Sequence, residues 1–420
     1  MRVVLPRSMR SVLTASCVVS VAALFGAGAT TAAAFTTTVV TSEAMSEPGV
    51  AVAPDNTIYV DGPEGLLSHL PGSPSPVFRS EDGGTSWTKT PFSLRENLPG
   101  GGDSEVAIDP TNGAIYMTDL WLGDSTVSTS SDKGNSWTAN PLQGLPVQDR
   151  QWVATTGAGI VYHAVHQIPL GLVVSKGSGG LVYPVSTLAA TPVDQTGCIC
   201  ASGNLIAQPG GGALGSNDKV GLIYATSSGG IKFAGSSNGA LTFANVNVQP
   251  ESANTTNAAF PVVANAGANH LVATWLNVQG STSSVAYSDS HDWGASWSAP
   301  RTLVSGGASV YPWIAAQGSK IAISLYHTST PGTPDTAPGT AQWFEAYLQS
   351  TDGGTTFSAP ESVDTTVAKS GPVCTEGTNC SANRELGDFQ SLALDNQGNA
   401  DLVWVHSFNG TRTEVRFSHQ

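Results

Sequence analysis

Ser80-Glu81-Asp82-Gly83-Gly84-Thr85-Ser86-Trp87 is the stretch from which the fold is read, because it recurs. The same order of residue types returns as Ser130-Ser131-Asp132-Lys133-Gly134-Asn135-Ser136-Trp137 and as Ser290-His291-Asp292-Trp293-Gly294-Ala295-Ser296-Trp297. A fourth copy is Ser350-Thr351-Asp352-Gly353-Gly354-Thr355-Thr356-Phe357. The pattern is S-x-D-x-G-x-x-[W/F]. A weaker copy, Ser236-Ser237-Asn238-Gly239-Ala240-Leu241-Thr242-Phe243, and a degenerate one near Ser175 to Val182 fill the gap between the second and third. Each residue type has a mechanical job. The Asp carboxylate accepts backbone N–H groups and closes a tight turn. The Gly takes a backbone conformation that other residues resist, and the aromatic packs back on a sheet. Asp82, Asp132, Asp292 and Asp352 are therefore structural, and the repeat predicts one supersecondary unit per copy.

Working outward, each copy is preceded by a short strand, and each unit opens on an apolar strand, a turn and a second strand. Gly49–Ala53 with Thr57–Val60, Glu105–Ile108 with Ala114–Met117, and Ser391–Leu394 with Ala400–Trp404 are examples. Four strands per unit predict a propeller blade. Seven blades are expected, beginning near Glu47, Asp103, Arg150, Asn204, Phe260, Tyr311 and Arg384, with six as the alternative. The last unit stops at its third strand, and residues 35–40 are expected to supply the fourth and close the ring, which removes exposed sheet edges. The fold class is all-β, a single propeller over residues 35–420.

Composition agrees. The 420 residues include 47 Gly and 25 Pro, and only 11% are charged, which disfavours long helices. Ten Trp argue against disorder. A net charge of −14, from 17 basic and 31 acidic residues, excludes a nucleic-acid groove built on clustered Lys and Arg. At the start, Arg2, Arg7 and Arg10 precede a largely apolar run from Val12 to Ala29 and the small residues Ala32-Ala33-Ala34. Residues 1–34 thus read as a secretory signal cleaved before Phe35, giving a secreted, extracellular protein with no membrane attachment after cleavage. Cys198, Cys200, Cys374 and Cys380 then remain, an even number that suggests disulfides. Cys374–Cys380 closes a small loop and is the preferred bridge. The pairing of Cys198 and Cys200, one residue apart, stays open.

The repeated turns resemble the Asp-box (BNR) repeat of sialidase-like β-propellers. Further phrases look like secreted bacterial Asp-box proteins of that kind: Gly101-Gly102-Asp103, Ala114-Ile115-Tyr116, Asp149-Arg150-Gln151-Trp152, Tyr311-Pro312-Trp313 and Arg384-Glu385-Leu386-Gly387-Asp388-Phe389. The resemblance implies a glycan-active protein. In sialidases it implies an arginine triad on the sugar carboxylate, a Tyr–Glu nucleophile pair and an Asp acid/base. This chain departs from that pattern: no arginine lies between Phe35 and Arg79, and only Arg95, Arg150 and Arg384 could form a triad. The sialidase roles are therefore not carried over.

Propeller geometry sorts the remaining residues. The Asp turns lie on one face. The segments leading into each first strand, and the loops between second and third strands, lie on the other, around the axis. The catalytic candidates there are Asp103, Glu105, Asp149 and Asp388, as opposed carboxylates for glycoside hydrolysis. Arg150 and Arg384 would grip an anionic sugar by two-pronged hydrogen bonds, with Trp121, Tyr326 and His327 as further substrate-binding candidates. Glu47, Asp103 and Asp388 would suit Ca²⁺, though no cofactor is required. A histidine metal site needs His163 or His166 to converge with His327 and His406. The leading expectation is a monomeric exo-glycosidase acting on terminal anionic sugars of an extracellular glycan or glycoconjugate. The alternative is a non-catalytic glycan- or protein-binding propeller, and a third reading is a metal-dependent lyase or hydrolase.

Overall fold

The computed structural model describes residues 34–63, 75–91, 102–121, 123–140, 144–191, 202–226, 229–252, 256–257, 260–408, 410 and 412–420, with backbone only for Trp121, Thr256, Asn257 and Thr378. The signal segment, Arg95, Cys198 and Cys200 lie outside these residues, as does the side chain of Trp121.

Seven antiparallel sheets are present, and among the described residues there is no α-helix. The protein is an all-β, seven-bladed propeller. Blade 3 shows the plan, with strands Gln148–Gly157, Ile160–Gln167, Gly171–Ser178 and Val182–Ala190 paired in chain order. The first strands of the blades, from Gly49–Val52 through Ser104–Ile108 to Ser391–Leu394, surround the axis. The seventh sheet is assembled from both ends of the chain. Ser391–Leu394, Ala400–Ser407 and Thr413–His419 are joined by Thr36–Thr41. That last pairing is antiparallel, with Thr36 opposite His419 and Thr38 opposite Phe417.

The recurrent turn has the same hydrogen bonds in each full copy. The first Ser hydroxyl donates to the Asp Oδ1 at 2.7–2.8 Å and accepts the Gly N–H at 2.8–2.9 Å. The Asp Oδ1 accepts the N–H four residues on, and Oδ2 accepts that residue's hydroxyl at 2.6 Å. These bonds, those from the residue four on first among them, hold Asp82, Asp132 and Asp352 down at about 2. In blade 4 the amide of Asn238 keeps the arrangement: Oδ1 takes the Thr242 N–H, and Nδ2 donates to the Thr242 hydroxyl. Blade 3 has no acid at this place. Its degenerate copy turns after Ser178, the last residue of the third strand, and Ser175 sits inside the strand.

The aromatic of the turn packs against the preceding blade. Trp87 meets Phe417 of blade 7 edge-on at 5.2 Å, Trp297 meets Phe233 of blade 4 at 5.5 Å, and Phe357 meets Tyr287 of blade 5 at 5.1 Å. The glycine is placed for the same contact. A Cβ on Gly84 would lie 2.1 Å from Phe417 Cε1, and one on Gly294 would lie 2.3 Å from Phe233 Cε1. Arginines complete the seam: Arg79 donates to the carbonyl of Lys133 (2.6 Å) and Arg301 to that of Thr355 (2.8 Å), each in the next blade's turn. Each turn therefore joins two blades.

Gly83 and Gly84 separate backbone strain from packing. Both have positive φ, 71° and 85°, but a Cβ on Gly83 meets nothing within 4 Å. Gly83→Ala is expected to cost about 1–2 kcal/mol, from the left-handed backbone alone. Gly84→Ala adds about 1–3 kcal/mol of overpacking against Phe417. Urea unfolding of the two variants checks the difference.

Candidate functional site

Where the first strands start, the backbone departs from regular pairing. The register slips between Asp149 and Trp152 in blade 3, between Ser202 and Leu205 in blade 4 and between Val310 and Trp313 in blade 6. Glu47, Arg150 and Tyr311 have φ of 49°, 20° and 52°. Bulges re-aim side chains, and strained non-glycine backbone persists only where its surroundings hold it. Here the slips and strained residues bring polar groups of blades 1, 2, 3, 6 and 7 together around the axis.

Glu47 is buried at the head of blade 1. It packs on Gly387, where a Cβ would stand 2.3 Å from Glu47 Cγ. Arg384 holds Asp388 with two bonds, Nε to Oδ1 at 3.1 Å and Nη2 to Oδ2 at 2.6 Å, and its Nη2 also reaches Glu47 Oε1 at 3.2 Å. Arg384 and Asp388 lie in the turn before the first strand of blade 7, which begins at Ser391. Asp103 is within hydrogen-bonding reach of both Glu47 and Asp149. The result is a row of three carboxyls, Glu47–Asp103–Asp149, anchored at one end by Arg384. Asp103 and Asp149 keep some exposed surface. Burial, then the charges of Asp103 and Asp388, pushes Glu47 well above the usual carboxylate range. Burial, then the charge of Asp103, pushes Asp149 up to about 8. Both shifts favour the protonated forms, in which each carboxyl can donate toward Asp103.

Tyr311 also lies at this end of the ring. Its hydroxyl donates to the Cys374 carbonyl at 3.1 Å, in the loop closed by the Cys374–Cys380 disulfide. Burial and the nearby Asp388 raise this phenol well above its ordinary value, so it is held as a hydrogen-bond donor rather than as a phenolate nucleophile.

Arg150 is enclosed, with only 1% of its surface exposed. Its guanidinium lies 3.8 Å from the ring centroid of Trp152 and 4.4 Å from that of Phe389. It donates to the carbonyls of Gln151 (3.2 Å) and Ser104 (3.4 and 3.5 Å). Among the described residues it makes no ion pair within 4 Å; the link to Asp149 is the Arg150 backbone N–H, at 2.8 Å. Glu105 accepts the Val153 N–H at 2.7 Å, and burial pushes its carboxyl up to about 8. Asp61 is raised to about 6, again by burial. Trp152, Trp313 and Phe389, with centroids 5.6–6.0 Å apart, cluster at the axis. A channel of about 270 Å³ runs along them, lined by the first strands of all seven blades and by Glu105.

The structure therefore joins Glu47, Asp103, Asp149, Arg384 and Asp388, and sets Glu105 and Arg150 in the wall beside them. It corrects other expectations. Arg384 is committed to Asp388 and Glu47, and Arg150 to aromatic faces and carbonyls, so neither presents a free two-pronged grip. Tyr326 is fully buried, and its oxygen accepts the Val405 N–H at 2.7 Å. His327 is bound to Ser309 (3.0 Å), His163 to Thr118 (3.0 Å) and His406 to Glu414 (3.1 Å). Burial drives His163 down to about 3, which suits a neutral core group. These histidines do not converge, and Glu47, Asp103 and Asp388 do not form a three-ligand group. Glu345, buried in the third strand of blade 6 and raised well above its usual range by burial, escaped the sequence reading because nothing in the sequence marks one strand acid as buried.

No family model matches the chain, and no curated protein does. Solved structures do. A protein of unknown function from Dyadobacter fermentans is similar at 13% identity and a TM-score of 0.53, over 91% of this chain and 97% of its own. The lectin BP39L from Burkholderia pseudomallei is similar at 11% identity and a TM-score of 0.52, over 87% and 97%. An α-L-arabinofuranosidase from Fusarium graminearum aligns at 12% identity and a TM-score of 0.47, over 89% and 92%. At these identities the likeness is one of fold.

The raised carboxyls set the pH dependence of stability. Asp149 and Glu105 titrate near 8 in the folded chain, but near 4 when unfolded. The folded state thus binds more protons between these values, and stability falls as pH rises through that window. Asp61 and Asp401, both at about 6, add in the same direction. Calorimetry is expected to give a higher melting temperature at pH 5 than at pH 8.5. Asp149→Asn should flatten that decline.

Proposed function

We propose that this is a secreted, glycan-active propeller of the Asp-box kind that takes a neutral sugar at the axial carboxyl row, with Asp149 as proton donor. The observation that carries the reading is Asp103, partly exposed and flanked by two buried carboxyls whose environment favours their protonated forms, beside an arginine already engaged by Asp388 and Glu47. Carboxyls that both donate and accept suit sugar hydroxyls. An anionic sugar would instead need an unengaged cation, and both Arg150 and Arg384 are engaged. A carboxyl held protonated at neutral pH suits general-acid departure of a glycosidic oxygen. The shared fold with a lectin is compatible with a sugar ligand. The signal-like N-terminus and the disulfide support an extracellular setting.

A second reading is a non-catalytic glycan-binding propeller. It is favoured by the direct contact between the carboxyls, which is closer than the roughly 5–10 Å separations of glycosidase acid and base pairs, and by the engaged Tyr311 hydroxyl.

Purified protein assayed at pH 6 on neutral nitrophenyl pyranosides and furanosides, beside a sialoside, tests both readings. Turnover of a neutral glycoside is expected. Asp149→Asn should lower it by roughly 10²–10⁴-fold with little change in sugar affinity, and the wild-type rate should decline above pH 8. Array binding of neutral glycans without turnover would select the second reading. Turnover of the sialoside alone would overturn both.

A further inference from the structure

On the turn face of the ring, away from the carboxyl row, blade 5 gathers a different set of groups. His270 opens its second strand, His270–Gln279. Asp289 is the penultimate residue of its third, Thr282–Ser290, and His291 follows in the turn. The strand pairing sets Leu271 opposite Ser290 and Val272 opposite Asp289, so His270 arrives beside the turn. His291 Nε2 lies 3.2 Å from Asp289 Oδ2, and His270 Nε2 lies 3.9 Å from the same oxygen. The two imidazoles stack at 4.2 Å. One ligand atom from each residue lies within 4.8 Å of the others.

We propose that His270, Asp289 and His291 form a binding site for a divalent transition-metal ion such as Zn²⁺. Metal–ligand bonds of about 2.0–2.2 Å put tetrahedral ligand atoms roughly 3.3–3.6 Å apart. The Asp289–His291 separation lies close to this, the Asp289–His270 separation needs a closure of a few tenths of an ångström, and the stacked rings must turn to aim both in-plane lone pairs at the ion. The outer hydrogen bonding is ready as well. The Ser298 hydroxyl donates to Asp289 Oδ1, which leaves Oδ2 for the two histidines. His270 Nε2 is buried and makes no hydrogen bond among the described residues, an arrangement that costs stability unless a partner arrives.

Two imidazoles and one carboxylate suit Zn²⁺, Cu²⁺ or Ni²⁺ rather than Ca²⁺. Three protein ligands leave a coordination position open. The three residues line a groove of about 830 Å³ together with Arg301 and Asp352 of the seam with blade 6. Asp352 does not compete for the ion, because its oxygens are taken by Ser350 and Thr356. The other turns offer no equivalent: the position of His291 is held by Glu81, Ser131, Ser237 and Thr351.

The test is calorimetric titration of tag-free, chelator-stripped protein with ZnCl₂. One Zn²⁺ per chain is expected at micromolar affinity or tighter. Ser298→Ala should weaken it about tenfold, as loss of an outer hydrogen bond does, and His291→Ala by at least about 100-fold. His291 is 72% exposed, so its removal leaves the fold intact, which an unchanged melting temperature of the metal-free variant verifies. Co²⁺ substitution should give visible absorption that His291→Ala abolishes. The proposal is overturned if the wild type shows no saturable one-to-one binding, or if His291→Ala binds Zn²⁺ as the wild type does.

Discussion

The ring depends on one pairing, that of Thr36–Thr41 with Thr413–His419. A propeller of separate sheets has no continuous backbone bonding around its circumference, so two blades must meet where the chain's ends lie. Here the ends share one sheet, and the meeting becomes a ladder of backbone hydrogen bonds rather than a loose contact between side chains. The seam is reinforced from the next blade. Thr38 donates to the Gly84 carbonyl at 2.6 Å, and Trp87 packs on Phe417. The closing strand, the blade it completes and the turn of blade 1 thus lock together. Every residue at the axis owes its position to that closure.

Once the ring is closed, the axis becomes a place where charge is expensive. Carboxyls from blades 1, 2 and 3 are held together, and desolvation with mutual repulsion raises Glu47 and Asp149, favouring their protonated forms. The same enclosure accounts for the arginines. Arg384 is held by Asp388 and Glu47, and Arg150 packs against the rings of Trp152 and Phe389, which tolerate a guanidinium better than an alkyl wall would. The face is therefore rich in acidic residues but poor in free charge. That is why its chemistry points to neutral hydroxyl-bearing ligands and proton donation.

The opposite face is built by repetition, and repetition leaves room for variation. The Ser, Asp and Gly of each turn are tied to its hydrogen bonds and to the neighbouring blade, while the residue after the Ser is not. In one turn that unconstrained position is a histidine, and the hairpin beside it supplies another histidine and an aspartate. A scaffold element thereby acquires a ligand geometry that it does not have elsewhere in the ring.

Much of this was legible in the chain. The spacing of Asp82, Asp132, Asn238, Asp292 and Asp352 carries the blade count, because a turn with these bonds can form from local residues alone. The truncated last unit implied closure by the N-terminal strand, because an unpaired edge is costly. Asp103, Asp149, Arg384 and Asp388 stood out as charges leading into first strands, and the Cys374–Cys380 loop by its short span. Other features were decided only by tertiary structure. Whether Arg150 grips a ligand or fills the core depends on Phe389 and the Ser104 carbonyl, both distant in sequence. Whether Tyr326 is accessible depends on blade 7, whose Val405 takes up its oxygen. His270 and His291 are brought together by a hairpin register that no short motif encodes. Local hydrogen bonding and periodicity are written along the chain, whereas desolvation and convergence exist only after the blades have met around the axis.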